Sequence, residues 1–468
     1  MPITLAVDLG TTTITALALD LVANELVAVE TLANDATIAA RAELTQGRSE
    51  WDAERIVTIA TRAVRAVAAK LGSRAAECLA IGVTGQQHGM LLIDDSLRPL
   101  SPLIGWQDRR ALEICPSSGE TYLEEATARL GPGAAARHGC RLASGYMGAT
   151  LYWLARTDEL RAGSRACFLP DLFAARLAEV APATDPSMAA SAGLVDLATR
   201  DWNDEALAAL ELPRALFPPV RESDAPLGSL SPRASAELGL PENTRVCVPI
   251  GDNQAAFAGC VADRESGLLV NVGTGGQVAA YSDLAPHAPP LETRPFPFGG
   301  NLLAHAGLCG GRSIAALEQF FRLIASEVSQ VDAKSPIYAR LEQLAAAAPS
   351  GAGGLVFEPL FGGTRAEPNR RAAITELSFE NFTPGHVARA LLEGMARTFA
   401  EGHGHIRSAA ARDFTHIVGG GNGLRENRLL ARLVSEALGL PIRFPKHREE
   451  AASGAARLAA RTVGHAVG

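Results

Sequence analysis

The sequence predicts an α/β protein of two lobes, strands flanked by helices in each, with a cleft between them. Two glycine–threonine turns carry that expectation, together with the alternation of helix and strand beyond each. Val7-Asp8-Leu9-Gly10-Thr11-Thr12-Thr13 closes an apolar strand near the start of the chain, and Val270-Asn271-Val272-Gly273-Thr274-Gly275-Gly276 does the same more than halfway along. A second apolar run succeeds each turn, at 14–19 and 277–281, so both read as β-hairpins. Beyond each hairpin the chain alternates helical and strand-like segments, the pattern of layered α/β folds. The two hairpins lie much further apart than the period of a solenoid, which marks a duplicated half rather than a tandem array. Clefts between such halves are preferred ligand sites.

The elements come in order. Strands at 3–9, 13–19 and 25–32 form a meander with turns at Gly10 and Asn24. Helical spacing runs over 52–71, where Ile56, Ile59, Ala60, Ala63, Val64 and Val67 share one face. Apolar strands at 79–84 and 90–94 read as a hairpin interrupted by Gly85-Gln86-Gln87-His88-Gly89. Helices are expected near 111–114, 122–130, 148–155 and 172–178. Residues 212–241 carry six prolines and divide the chain, giving domains of 1–245 and 246–468. A strand at 245–250 runs into Gly251-Asp252-Asn253-Gln254, and a helix covers 255–261. Helices at 313–327, 337–348 and 384–410 precede a strand at 415–418 that ends in Gly419-Gly420-Gly421-Asn422. A helix at 426–438, a strand at 440–444 and a small-residue helix at 451–462 complete the chain.

Bulk properties narrow the function. The chain has 468 residues, 47% of them hydrophobic, enough for more than one core. Net charge is −8 and no basic face is apparent, which disfavours nucleic acid as a partner. Only three lysines occur, Lys70, Lys334 and Lys446, so a lysine gripping phosphate has few candidates. Seven scattered cysteines with no CxxC pair read as reduced thiols. The first residues enter a strand directly and no run reaches membrane-spanning length, so the expectation is a soluble cytoplasmic protein with no membrane partner.

Several constellations can carry chemistry. A glycine–threonine turn brings backbone N–H groups and hydroxyls close to phosphate. Asp8 beside such a turn repels phosphate unless a cation lies between them, and Mg²⁺ resolves this. An aspartate before glycine is also an ordinary turn residue; Thr11 and Thr12 favour the metal reading. Asp252, at the end of a strand and the start of a helix, fits an N-cap and fits a general base. Asn253 and Gln254 add neutral donors and acceptors beside it. Gln87 and His88, bounded by glycines, suit hydroxyl recognition or a plain polar turn. Trp106 near Asp108 suits a sugar, and equally suits a buried tryptophan beside a salt-bridged helix start. Gly420, Gly421 and Asn422 let a base or ribose lie on the backbone, or form a tight turn. There is no Gly-x-x-x-x-Gly-Lys-Ser/Thr phosphate loop, and no Gly-x-Gly-x-x-Gly after the first strand.

Taken in order, these pieces resemble the FGGY carbohydrate kinases of the actin-like ATPase superfamily. The resemblance rests on Val7 to Thr12, Gly85 to Gly89, Trp106 to Arg110, Gly251 to Asn253, Gly273 to Gly275 and Gly419 to Asn422. Ser144 to Thr150 with Trp153, Asp185 to Ser191, and Cys260 look closest to the sedoheptulose kinases, with xylulose and other pentulose or polyol kinases as the alternative. Gln87 stands where methionine is common, and Gly275 where serine is common. The resemblance implies two actin-like (ribonuclease H-like) lobes, each a mixed sheet flanked by helices, and transfer of phosphate from ATP to a primary hydroxyl of a ketose. It implies Asp252 as catalytic base and Asp8 on Mg²⁺. It places Thr11, Thr12, Gly273, Thr274, Gly275, Gly420, Gly421 and Asn422 on ATP, and Gln87, His88, Trp106, Asp108, Asp252 and Asn253 on the sugar. A homodimer is a further expectation from the family. A sugar-binding regulator without catalysis, or another actin-like ATPase, is the reading from a different class.

Overall fold

In the computed structural model, which describes residues 2–38, 47–330, 337–364 and 370–465, the chain builds a seven-stranded and a six-stranded sheet that share one pattern. The first begins as the meander β1 (Ile3–Leu9), β2 (Thr13–Asp20) and β3 (Glu25–Ala33). Leu9 faces Ile14 across the first turn. The chain then crosses the sheet as α1 (Ala53–Leu71), whose first turn is capped by the Asp52 carboxylate accepting from the Arg55 N–H. It returns as β4 (Cys78–Gly85), parallel to β1 with Asp8 opposite Thr84 and Leu9 opposite Gly85. Three short strands complete this sheet: β5 (Pro226–Ser229), β6 (Arg245–Cys247) and β7 (Ile250–Gly251). The order is β5-β6-β4-β1-β2-β3, with β7 continuing beside β4.

The second sheet repeats the arrangement. Its hairpin is β8 (Gly267–Val272) and β9 (Gly276–Ser282), succeeded by β10 (Glu292–Pro295) and β11 (Asn301–Leu308). Strand β12 (His416–Gly420) lies parallel to β8, and β13 (Ile442–Arg443) extends it. The order is β10-β11-β9-β8-β12-β13. Each half thus sets an antiparallel hairpin between a third antiparallel strand and a parallel neighbour. The apolar interior tracks the sheets, with separate cores around β1 and β4 and around β8 and β12.

Two helices tie the halves together. α2 (Asp252–Cys260) leaves β7 directly. α3 (Gly311–Leu323), α4 (Pro384–Ala410) and α5 (Arg428–Leu438) belong to the second half. The last helix, α6 (Glu450–Thr462), packs on β1, β2 and β4 of the first sheet and crosses α2. The approach is close enough that side chains are excluded. A Cβ on Gly454 would lie 1.8 Å from the Ala255 carbonyl oxygen, and one on Gly259 2.2 Å from that of Glu450. Thr4 Oγ1 donates to the Ala456 carbonyl at 3.0 Å, pinning α6 to β1.

Two expectations are corrected, and two strands were not anticipated. Residues 79–94 do not form a hairpin: Leu91–Ile93 pairs with Arg165–Cys167, because both edges of β4 are already taken by β1 and by β6 and β7. The proline-rich 212–241 stretch is not a divider; it supplies β5 and the helix Pro232–Leu238. Pro226 is tolerated because β5 is an edge strand. Strands β10 and β11 were hidden by flanking prolines and Gly299-Gly300. Among the described residues no helix is long and apolar enough to cross a membrane.

The crossing predicts that Gly454→Ala costs about 1–3 kcal/mol in chemical denaturation, the usual penalty for overpacking. Gly133→Ala, where an added Cβ meets nothing within 4 Å, serves as the neutral control. Equal midpoints for both variants would contradict the crossing.

Candidate active site

Strand register decides where the acids go. β1, β4 and β7 are parallel neighbours, and Leu9, Gly85 and Gly251 stand level across them. Residues just before or after that line share one sheet edge: Asp8, the Gln86–His88 turn and Asp252. Ends of parallel strands are where open α/β sheets bind ligands. The Asp252 carboxyl is pushed up to about 7, first by burial and then by the negative charge of Asp8. Asp8 is pushed up to about 7 as well, first by burial and then by Glu449. Two acids that hinder each other's ionisation titrate as a pair.

Asp252 is the first residue of α2, with Gly251 as the N-cap. Its Oδ1 accepts from the Asn253 N–H at 2.8 Å. A chain of amides runs outward from it. Asn253 donates to Gln87 Oε1 at 3.0 Å and accepts from Gln277 Nε2 at 3.3 Å, so it bridges the first sheet edge to β9 of the second half. Gln87 Nε2 donates to the Ser187 carbonyl at 2.9 Å. Ser187 Oγ in turn donates to Asp185 at 2.6 Å and accepts from the Gly251 N–H at 3.0 Å. The backbone preceding Asp252 is therefore held from below by a serine and a buried acid.

The turn at His88 carries backbone strain. His88 adopts a φ of +74°, unusual for a residue with a Cβ. It is held there by its N–H donating to Ser191 Oγ at 3.0 Å, by Nδ1 lying 2.9 Å from the Ser191 carbonyl, and by stacking on Tyr146 at 4.2 Å. Strain of this kind persists only where surroundings enforce it, and it clusters at functional sites. Trp106 lies beside the same turn, since a Cβ on Gly89 would be 3.2 Å from its backbone nitrogen. Trp106 is 44% exposed, so the buried-tryptophan reading does not hold. Asp108 is placed differently from a hydroxyl reader. One oxygen accepts from the Arg110 N–H and Nε, the other from the Ser49 N–H and Arg110 Nη2. Both oxygens are saturated, and the carboxylate fixes the loop carrying Trp106.

The two glycine–threonine turns are braced but open. Asn34 Nδ2 donates to the Gly10 carbonyl and the Asn34 N–H to that of Thr12, both at 2.9 Å, leaving Thr12 exposed. In the second turn Gly273, Thr274 and Gly275 are exposed. The first N–H groups of α3 hold it, Gly311 to the Gly273 carbonyl at 2.8 Å and Arg312 to that of Thr274 at 3.1 Å. Gly420 and Gly421 end β12 beside Asn271. A Cβ on Gly421 would lie 2.5 Å from Asn271 Oδ1, and its φ of +77° also demands glycine. The Gly421 N–H donates to Glu450 at 3.3 Å, and Asn422 is exposed just beyond. Ser187, Gln277, Tyr146 and Glu449 were not assigned roles from sequence. Gln277, a polar residue inside an apolar strand, was the one with a readable signal.

Two copies of one hairpin-and-parallel-strand motif, with an acid pair at the sheet edge and an amide bridge between the copies, define a two-lobed α/β phosphotransferase scaffold. The chain belongs to the FGGY family of carbohydrate kinases: the N-terminal domain model of that family matches residues 3–259 and the C-terminal one residues 268–463. It is 29% identical to the sedoheptulokinase of Homo sapiens, over 97% of this chain and 96% of that protein. It is 30% identical to the glycerol kinase of Trichlorobacter lovleyi, over 99% of this chain and 91% of that protein. In fold it is similar to the xylulose kinase structure from Rhodospirillum rubrum, with a TM-score of 0.86, 24% identity and coverage of 100% and 91%. The protein is a phosphotransferase acting on a sugar hydroxyl, in a family that draws its phosphate from ATP.

The raised value of Asp252 has a consequence for stability. Between about pH 4 and about pH 7 the folded chain holds a proton that the unfolded chain releases, so this group's contribution falls as pH rises through that window. A tenfold change in proton affinity on folding is worth about 1.4 kcal/mol. Asp252→Asn, with no charge to bury, is expected to melt higher than the parent at about pH 8, the difference fading by about pH 4. Identical melting curves at the higher pH would contradict the assigned environment.

Proposed function

We propose that the protein transfers the γ-phosphoryl group of ATP to the terminal primary hydroxyl of sedoheptulose, giving sedoheptulose 7-phosphate, with Asp252 as general base. The observation that carries the reading is the Asp252 carboxyl at the level strand ends, joined through Asn253 to Gln87 on one side and Gln277 on the other. A base must sit within hydrogen-bond reach of the hydroxyl it deprotonates, with a pKa near the working pH. Asp252, held near 7, is ionised over much of the neutral range and still able to accept a proton. Near-complete coextension with the human sedoheptulokinase supports the choice of a seven-carbon ketose.

The other residues take the roles that the family resemblance implies, and their placement supports these. Gln87, His88 and Asn253 present amides and an imidazole to sugar hydroxyls. The exposed Trp106 indole covers sugar C–H groups, and Asp108 acts through the loop it holds. Thr11, Thr12 and Thr274, with the N–H groups of Gly273 and Gly275, receive the β- and γ-phosphates, and Gly420, Gly421 and Asn422 the adenosine. Phosphoryl transfer needs mainly positioning and charge stabilisation, which these groups supply.

The acid pair fits a magnesium ion. The Asp8 carboxylate makes no hydrogen bond or ion pair to the described residues, and its charge is opposed by Asp252 and Glu449, so a hard cation on its oxygens relieves the repulsion. Asp8 would hold the ion, and the ion would offset phosphate charge.

The test is ADP release over sedoheptulose, xylulose, ribulose and glycerol. Sedoheptulose is expected to give the highest kcat/KM. Asp252→Asn is expected to retain ATP binding and to lose roughly 10²–10⁴-fold or more in kcat. Turnover near the parent's in that variant would overturn the base; a preference for another acceptor would overturn the sugar.

A further inference from the structure

The turn at His88 rests on two supports, and one arginine from the other half of the chain grips both. The first support is Ser191, whose Oγ accepts from the His88 N–H and whose carbonyl lies 2.9 Å from Nδ1. The second is Tyr146, whose ring stacks on the imidazole at 4.2 Å with 11° between the planes. Arg294 belongs to β10 of the second sheet and is 6% exposed. Its Nη1 donates at 2.6 Å to the carbonyl of Ala190, the residue before Ser191. Its Nη2 donates to the Tyr146 hydroxyl at 3.0 Å, with the guanidinium 5.5 Å from the centre of that ring. Glu292, two residues back and so on the same face of β10, accepts from Nε at 3.3 Å and from Nη2 at 3.0 Å.

A buried arginine beside a carboxylate is an ordinary tie between two halves. Two observations assign this one more. First, β10 is fastened without it. The Thr293 N–H donates to the Gly139 carbonyl at 2.8 Å, a Cβ on Gly139 would lie 1.9 Å from the Thr293 carbonyl oxygen, and Gln254 Nε2 of α2 donates to the Pro295 carbonyl at 3.2 Å. Second, the two targets of the guanidinium outside its own strand are the backbone next to Ser191 and the Tyr146 hydroxyl, so each support of the His88 ring receives one arm. A planar guanidinium aims two N–H groups at fixed angles, which a lysine ammonium does not. The ring held in this way has a defined chemistry. A carbonyl oxygen only accepts, so Nδ1 carries the proton and Nε2 is the acceptor nitrogen of the neutral imidazole. The φ of +74° at His88 persists only where its surroundings enforce it.

We propose that Arg294 is a positioning residue for the sugar site: acting through Tyr146 and the backbone at 190–191, it holds the His88 imidazole in the orientation and tautomer that offer Nε2 to a sugar hydroxyl. The sugar site of the first half thereby depends on a residue of the second. This rests on the role given to His88 above.

Arg294→Lys keeps a cation beside Glu292 and removes the fork. Tyr146→Phe, which keeps the stacked ring and loses only the hydroxyl, is the milder variant. Hydrogen–deuterium exchange of the full chain without sugar or nucleotide reads the turn directly. Exchange over 86–89 is expected to quicken at least tenfold in Arg294→Lys and less in Tyr146→Phe, with the β1 amides unchanged. With sedoheptulose and ATP, KM for the sugar is expected to rise at least fivefold in Arg294→Lys while kcat and KM for ATP stay within twofold. Placed in His88→Ala, the same substitution is expected to raise KM no further. The proposal is overturned if exchange over 86–89 matches the parent's, or if Arg294→Lys raises KM as much without His88 as with it. It is equally overturned if β1 exchange quickens in step or KM for ATP rises in parallel, the marks of a tie that only holds the fold. His88→Ala separates this proposal from the reading beneath it: an unchanged KM for sedoheptulose in that variant overturns the sugar-reading role of His88, while the exchange result still decides whether Arg294 holds the turn.

Discussion

The rest of the site depends on one constraint of register: three parallel strands end level. With Leu9, Gly85 and Gly251 in line, Asp8 and Asp252 are brought into each other's field in a crowded crevice. Like charges in such surroundings cannot both ionise freely. That tension is costly for folding; on the reading proposed above it serves the chemistry, since it would hold Asp252 near neutrality as a base and leave Asp8 to a cation. Pairs of acids whose environments shift their titration are frequent marks of functional sites.

A second constraint comes from duplication. Each half presents a glycine–threonine turn at the end of its hairpin, but two turns make one site only if the halves are held in register. The helix crossing supplies this. α2 and α6 meet through Gly259, Ala255 and Gly454, and each begins at the site, α2 with Asp252 and α6 beside Glu449 and the Gly421 contact. The Gln87–Asn253–Gln277 amides span the same gap from the other side. The saturated Asp108 and the strained His88 belong to the same scheme: each is fixed by hydrogen bonds from residues remote in sequence, Asp108 by Ser49 and His88 by Ser191.

Much of this was legible in the sequence, and the parts that were not share a cause. Long amphipathic helices such as α1 and α4 are written by their spacing, and α4 ends where that spacing ends. Strand-terminal motifs were legible because glycine next to polar residues is costly inside an apolar strand unless the position is used. Partner choice was not legible. Nothing local says that Leu91–Ile93 avoids β4, that α6 packs on the opposite sheet, or that Ser49 and Arg110 consume both oxygens of Asp108. Ser187 and Asp185, which hold the backbone before Asp252, are remote in sequence from the residue they support.

The central claim is that Asp8 and Asp252 are electrostatically coupled. Direct titration of the Asp252 carboxyl by carbon NMR, in the parent and in Asp8→Asn, tests it without reference to turnover. The account predicts a midpoint near 7 in the parent and a clear displacement towards lower pH in the variant, short of the ordinary carboxylate range because burial remains. An ordinary midpoint in the parent, or one that Asp8→Asn leaves unmoved, would contradict it.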